Sequence, residues 1–265
     1  MGLQAISVSR NHRWIVCGTF EKGSSVWDGE LQENVLEVEG DNIVDAVDIS
    51  PNSTRFATGT RAKEASIWSI SSGQRLIGPL KHDNWVTGIR FSPDSDRIAT
   101  ACCWGHSVNI LDSHTGANLV TINTDLPGAC TITSLAWLGD GQQIFAVSSN
   151  KKVRAFDTSS GTQLAESQIP NDSHATVNSI VLATNSKFIA TCAGYSIWFL
   201  DTSTLGRIGP VIEDGEGLWS LAISPDSSHL AIGRWDGKIV IRELGNILPD
   251  VYGPFNVSNC PLHVE

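Results

Sequence analysis

This chain is poor in basic residues and has no long apolar run. Lys and Arg number 18 against 28 Asp and Glu, a formal net charge of −10. A phosphate backbone needs clustered Lys and Arg, so no nucleic-acid partner is expected. No stretch approaches the ~18–20 apolar residues of a membrane-crossing helix, so no membrane partner is expected either. The N-terminal run Met1-Gly2-Leu3-Gln4-Ala5-Ile6-Ser7 lacks a basic segment and an apolar core, and no signal peptide is visible. Gly2 and Ser7 fit the myristoylation spacing poorly. The cysteines Cys17, Cys102, Cys103, Cys130, Cys192 and Cys260 are scattered rather than framed as a disulfide scaffold. That usage fits a reducing compartment, the cytoplasm or the nucleus. The sequons at Asn52, Asn171 and Asn256 are then silent.

Catalytic signatures are also scarce. There is no phosphate-cradling glycine loop followed by Lys-Ser/Thr and no nucleophile elbow. Gly105-His106-Ser107 and Gly194-Tyr195-Ser196 share only part of the elbow pattern, and both sit in turns between strands. Cys102-Cys103-x-x-His106 offers three candidate metal ligands, two of them adjacent on a strand and pointing opposite ways. A structural zinc site needs four, usually as two spaced pairs. The seven histidines show no paired spacing. No catalytic residue, metal site or cofactor is expected.

What is present is repetition. Six copies of one pattern are anchored at Trp27-Asp28, Trp68-Ser69, Leu111-Asp112, Phe156-Asp157, Leu200-Asp201 and Arg242-Glu243, at intervals of 41, 43, 45, 44 and 42 residues. A repeat of about 40–45 residues built from short strands is the spacing of a β-propeller blade. Hydrophobic content of 41%, 24 glycines and nine tryptophans suit a turn-rich globular protein. A chain of 265 residues can bury roughly 70–75% of its unfolded surface as one domain.

Within each copy, strand A alternates apolar with other residues, as in Ala46-Val47-Asp48-Ile49 and Leu221-Ala222-Ile223. The A-to-B turn reads Ser50-Pro51-Asn52-Ser53, Ser92-Pro93-Asp94-Ser95 and Ser224-Pro225-Asp226-Ser227. Proline presets φ there, and Asp or Asn bonds to nearby backbone. Strand B places a large apolar residue before alanine: Phe56-Ala57, Ile98-Ala99, Phe145-Ala146, Ile189-Ala190 and Leu230-Ala231, with Ile15-Val16 in the first copy. A small residue in register marks a close approach of neighbouring sheets. Strand D carries Ile77-Gly78-Pro79-Leu80, echoed by Ile208-Gly209-Pro210-Val211 and Tyr252-Gly253-Pro254-Phe255. Proline belongs at a strand edge or end, and the last echo predicts an outer strand completing the sixth blade.

These residues resemble the WD-repeat β-propeller family over about residues 3–256. Trp27-Asp28 is a literal WD dipeptide, Trp235-Asp236-Gly237-Lys238-Ile239 is similar to the family's B-to-C turn and strand C, and Lys81-His82 to its glycine-histidine before strand A. The resemblance implies structural roles for Trp27, Asp28, Trp68, His82, Thr100, Asp112, Asp157, Asp201 and Asp236. It also implies a buried His–Ser/Thr–Asp–Trp network in each blade, and here that network is incomplete in every copy. Gly105 and Leu111 stand at the Asp and Trp positions of blade three, and Ile232 and Arg242 interrupt blade six.

The expected architecture is therefore an all-β propeller of WD-repeat type. Its six repeats form either six blades or part of a seven-bladed or longer array. Blades are expected at about 3–42, 43–84, 85–129, 130–174, 175–216 and 217–256, within one domain of residues 1–256, followed by a tail over 257–265. Trp85 enters strand A of blade three and Trp219 strand A of blade six. Trp104 and Trp235 sit in the B-to-C turns of those blades, with Phe20 and Arg61 at comparable turn positions in blades one and two. In antiparallel blades these positions share one end, which the resemblance makes the partner-binding face. The expected function is a non-catalytic scaffold binding a peptide or protein surface there. Alternatives are a sensor or regulatory segment of a larger signalling polypeptide or complex, and a propeller enzyme with a central-channel site. The enzyme reading has little to build on, because the strand A starts Leu3, Val44, Val86, Ile132, Val177 and Leu218 are all apolar. Acid crowds Asp28–Asp48 without Lys or Arg, a charged edge that blocks strand pairing or faces a basic peptide.

Overall fold

The computed structural model describes residues 2–20, 23–40, 42–124, 130–170 and 177–248. Six antiparallel sheets follow one another along the chain. Blade one holds β1 (Leu3–Val8), β2 (Trp14–Thr19), β3 (Ser24–Asp28) and β4 (Glu33–Val38), and blade two holds β5 (Val44–Ile49), β6 (Arg55–Thr60), β7 (Glu64–Ser69) and β8 (Arg75–Lys81). Blade three comprises β9 (Val86–Phe91), β10 (Arg97–Cys102), β11 (Ser107–Asp112) and β12 (Asn118–Asn123). Blade four comprises β13 (Ile132–Trp137), β14 (Gln143–Ser148), β15 (Lys152–Asp157) and β16 (Gln163–Gln168). Blade five runs through β17 (Val177–Leu182), β18 (Phe188–Ala193), β19 (Ser196–Asp201) and the two-residue β20 (Ile212–Glu213). Blade six has β21 (Leu218–Ile223), β22 (His229–Arg234) and β23 (Ile239–Glu243), followed by a short 3-10 turn over Leu244–Asn246.

Each blade is a meander in sequence order, because short turns can join only antiparallel neighbours. The turns explain the register. The fourth position of every A-to-B turn is left-handed: His12, Ser53, Ser95, Gly141, Ser186 and Ser227 have φ between 57° and 70°. Ser95 and Ser227 use that pose to bridge blades, their hydroxyls accepting the backbone N–H of Asn52 and Thr184.

The core is divided among the blade boundaries. Five clusters of buried side chains each join one blade to the next, from blades one and two through blades five and six. The second and third blades are joined by Ala46, Ala57 and Ile67 packing on Ile89, Phe91, Ile98 and Leu111. Asp48 adds a polar tie across three blades. Its carboxylate accepts the Ser7 hydroxyl at 3.4 Å and the Phe91 N–H at 2.8 Å, with Arg90 at 3.8 Å. Burial pushes its pKa up against that attraction.

Two expectations are corrected. The alanine of strand B is one position out in blade four. Pairing puts Ala57 opposite Asp48 and Ile67, and the residue at that place in blade four is Phe145, opposite Ala136 and Ala155. Size is conserved as a pair rather than at a site: Ala57 with Ile67, Ala99 with Ile110 and Ala190 with Phe199 become Phe145 with Ala155. The second correction concerns strand D. Ile77-Gly78-Pro79-Leu80 lies inside β8, whose ladder slips twice around it, whereas the outer strand of blade five begins only after Pro210. A prolyl nitrogen donates nothing, so each copy resolves the interruption in its own way. The family's network, in keeping with the sequence, is present only in fragments. His82 Nε2 lies 2.9 Å from the Thr100 hydroxyl, and Trp68 Nε1 donates to the Thr58 hydroxyl at 2.9 Å. The expected outer strand around Tyr252-Gly253-Pro254-Phe255 lies outside the described residues, as do Asn171, Asn256 and Cys260.

Candidate interaction surface on the loop face

The B-to-C turns and the starts of the inner strands are stitched together at one end of the barrel-like stack. Phe20 N–H donates to the Gly2 carbonyl at 2.8 Å, Arg61 to Ile43 at 3.1 Å, Cys103 to Trp85 at 2.8 Å, Ser149 to Thr131 at 2.8 Å and Trp235 to Gly217 at 2.8 Å. Residues in those turns and just before strand A therefore share a surface whatever their side chains do.

Aromatic groups populate it. Trp85, Trp104, Trp219 and Trp235 are exposed by 39, 59, 62 and 64%. None is sealed between blades. Arg61 sits between two aromatic faces, its guanidinium carbon 5.5 Å from the Phe20 ring centroid and 5.0 Å from that of Trp85. Its Nε donates to the Asp45 carboxylate at 2.9 Å, which fixes the head while the plane covers the rings. Phe20, Arg61 and Trp85 thus form one cluster drawn from blades one, two and three. Trp104 stands apart at the turn of blade three in a left-handed conformation (φ 52°), its N–H 3.3 Å from the Thr131 hydroxyl.

Trp219 and Trp235 meet edge to face in blade six, ring centroids 6.2 Å apart and planes at 61°. Gly217 lies beneath Trp235, and a Cβ there would come within 2.9 Å of the indole. Arg234 next door is held by Asp214 of the preceding blade at 2.7 Å, which keeps that carboxylate ionised despite its burial. Tyr195, in the corresponding turn of blade five, is also exposed and was missed by the sequence reading. The signal was its place in the repeat, between Gly194 and Ser196.

The WD-type positions divide between the two ends. Asp28, Asp112, Asp157 and Asp201 lie at the opposite end, where each accepts two backbone N–H groups of the C-to-D turn: Glu30 and Leu31, His114 and Thr115, Ser159 and Ser160, Ser203 and Thr204. The Ser159 hydroxyl and these amides hold the Asp157 carboxyl well below the usual range, and the Ser203 hydroxyl does the same first for Asp201. These acids are turn caps, each fixed through Oδ1 by the amides of its own turn. Asp236 caps the B-to-C turn through the Lys238 N–H at 3.0 Å. Trp27 is half exposed and donates only to Ser25, whereas Trp68 stacks on Phe56. Burial lowers the His82 pKa and leaves the ring neutral, so Nδ1–H donates to the Leu80 carbonyl and Nε2 accepts from Thr100. That histidine is part of the frame.

Burial raises the thiol pKa to about 11 at Cys102 and about 12 at Cys192, where they behave as small apolar side chains. Among the described residues no cluster of three or more His, Cys, Asp or Glu has metal-binding geometry, and no helix is long and apolar enough to cross a membrane. A cleft of about 630 Å³ opens between blades one and two, lined by Glu39, Glu64, Trp68 and Arg75 beside the acidic stretch.

The comparisons agree with this geometry. The profile of the WD domain, G-beta repeat family matches residues 74–112, 119–157 and 211–242, each match running from the outer strand of one blade through three strands of the next. Autophagy-related protein 16 of Arabidopsis thaliana is 25% identical over 258 residues, covering 93% of this chain and 49% of that protein. The small ribosomal subunit protein RACK1 of Caenorhabditis elegans is 24% identical over 153 residues, 55% of this chain and 46% of the relative. The chain thus spans about half the length of either protein. Among solved structures, the β-propeller domain of Myceliophteria thermophila Cps50 (Swd1) superposes with a TM-score of 0.78 at 15% identity, over 90% of this chain and 82% of that one. Kuenenia stuttgartiensis hydrazine synthase gives a TM-score of 0.81 at 18% identity over 96% and 80%, a likeness of fold alone. With six consecutive blade sheets, three matches to the repeat profile and these relatives, the chain carries WD repeats in a β-propeller fold and is similar to the WD-repeat β-propeller family.

Proposed function

We propose that this propeller is a non-catalytic interaction scaffold, and that it binds a peptide or protein surface on the loop face carrying Phe20, Arg61, Trp85, Trp104, Trp219 and Trp235. The observation that carries the proposal is four exposed indoles gathered at one end of the blades. Exposed tryptophan costs solvation in the free protein, and buried at an interface it is among the strongest contributors to affinity. The supports differ in kind: cation–π contacts fix the Arg61 cluster, and Trp219 and Trp235 hold each other. The net charge of −10 favours a partner without its own acidic excess. In this proposal residues 1–256 act as one unit, in the cytoplasm or nucleus, within a larger polypeptide or complex. Nucleic acid, membrane and cofactor have no part in it.

The test compares proteins captured by the wild-type chain and by a Trp104→Ala/Trp235→Ala variant whose circular dichroism and Tm match wild type. Both side chains are exposed, so the fold should survive their loss. Partners retained by the wild type and lost by the variant are expected. An unchanged set would refute this face.

A further inference from the structure

The place that His82 takes beside blade three falls to a glycine beside blade two. His82 stands four residues before β9, and Gly40 stands four residues before β5. Ladder register aligns the rest: Thr58 pairs with Ser66 and Phe56 with Trp68, as Thr100 pairs with Asn109 and Ile98 with Leu111. In blade three the Thr100 hydroxyl donates to His82 Nε2 at 2.9 Å, and Nδ1–H donates to the Leu80 carbonyl at 3.0 Å. Beside blade two, Thr58 stands at the place of Thr100, and Val38, two residues before Gly40, at the place of Leu80. Glycine supplies no ring to join them, and the cleft of about 630 Å³ opens here, lined by Val38, Gly40, Thr58, Ser66 and Trp68.

Two buried hydroxyls line that cleft with unused bonding capacity. Thr58, exposed by 3%, accepts Trp68 Nε1–H at 2.9 Å, and among the described residues nothing accepts its own proton. Ser66, exposed by 6%, makes no side-chain hydrogen bond among them. Buried polar groups are ordinarily paired, so the cleft offers a donor at the point where blade three supplies a ring nitrogen. The backbone leaves room for the ring as well. A Cβ on Gly40 would lie 3.4 Å from its nearest neighbour, Gly23 Cα, an ordinary contact.

The cleft is larger than one imidazole and has the size of sites that hold a drug-sized ligand, so the group that carries the ring has space beside it. Its charges select the carrier. Arg75 lies over the Trp68 ring at 4.7 Å, and Glu64 is paired with Lys81. Glu39 is exposed and has no partner among the described residues, and the stretch around it from Asp28 to Asp48 contains no Lys or Arg. A cationic neighbour of the ring would complement it.

We propose that this cleft binds a histidine side chain presented by a basic peptide segment of a partner protein, with the imidazole between Thr58 and Val38 and the cationic neighbour against Glu39. Ala62 places the cleft next to Arg61, but the site uses none of the exposed indoles, and the two proposals fail separately.

The test titrates the full, isotope-labelled chain with an N-acetylated Lys-His-Lys amide and follows by NMR the amides of Thr58 and Ser66 and the indole N–H of Trp68. All three should shift together, and a Lys-Phe-Lys amide should bind about tenfold or more weakly. Gly40→His sets the ring within the chain, so it should raise Tm and weaken binding of the histidine peptide by about tenfold or more. Thr58→Val should weaken it similarly, whereas Trp104→Ala/Trp235→Ala should leave it unchanged. No shift at these three groups, equal binding of the phenylalanine peptide, or undiminished binding by Gly40→His or Thr58→Val would overturn the proposal. Imidazole alone is the remaining arm: affinity equal to that of the histidine peptide would assign the cleft to a free imidazole compound and overturn the peptide source.

Discussion

Phe145 and Ala155 show how this protein distributes volume at the scale of single residues. In blade four the large residue has moved from strand C to strand B, and both side chains remain buried at 1% exposure or less. Removing the ring alone should therefore cost a full cavity, and Phe145→Ala is expected to destabilise by about 3–5 kcal/mol. Ala155→Phe alone overpacks the same space at about 1–3 kcal/mol. The double variant Phe145→Ala/Ala155→Phe should be more stable than the two effects added, because it restores the pairing of the other blades. Urea titration of the three proteins measures the coupling, and strict additivity would show that the pair does not share one space. This exchange was not legible in the sequence, where Phe145-Ala146 matches the motif of the other copies letter for letter. Only the ladder reveals that the match is one residue out of phase. By contrast, the exposure of Trp104 and Trp235 was foreseeable, since both lie in turns punctuated by glycine.

At the scale of elements, the turns carry the polar order of the molecule. Asp112, Asp157, Asp201 and Asp226 have pKa values held below the ordinary carboxylate range by hydroxyl and amide donors, with Asp226 brought to about 2 by Ser224 and Ser228. A carboxylate with a depressed folded pKa stabilises the fold above its unfolded pKa and loses that contribution as protons bind. Tm is therefore expected to fall as pH drops from about 4 towards about 2. A Ser159→Ala/Ser203→Ala variant should lose part of that acid sensitivity, and calorimetry across this range decides it. An acid response identical to wild type would remove the hydroxyls from the account. These turns were the most legible feature of the chain, because Ser-Pro-Asp-Ser and Asp-x-x-Ser/Thr-Gly encode local geometry. Strand D was the least legible. Its similar Ile-Gly-Pro runs end up inside β8 but ahead of β20, since an outer strand with one neighbour is placed by packing rather than by pattern.

At the scale of the whole molecule, the repeat spacing was enough to establish blades and their order, but not whether the ring closes. Leu3, Ile6 and Val8 follow the same alternation as the strands buried in blades two to five, so nothing local marks them as uncovered. The clustering of Phe20, Arg61 and Trp85 was likewise invisible, because it joins three blades through residues 41 and 24 positions apart. What the sequence did convey is that turns of like position share an end, and this is what gathers the aromatic residues onto one face. That face is the central claim, and its most direct test is a hydrogen-exchange footprint of the chain with and without a purified captured partner. The account predicts slowed exchange in the B-to-C turns around residues 20, 61, 103–105 and 234–237, with the A-to-B turns around 51–54, 93–96 and 225–228 unchanged. Protection confined to the A-to-B turns would contradict it and move binding to the opposite end of the blades.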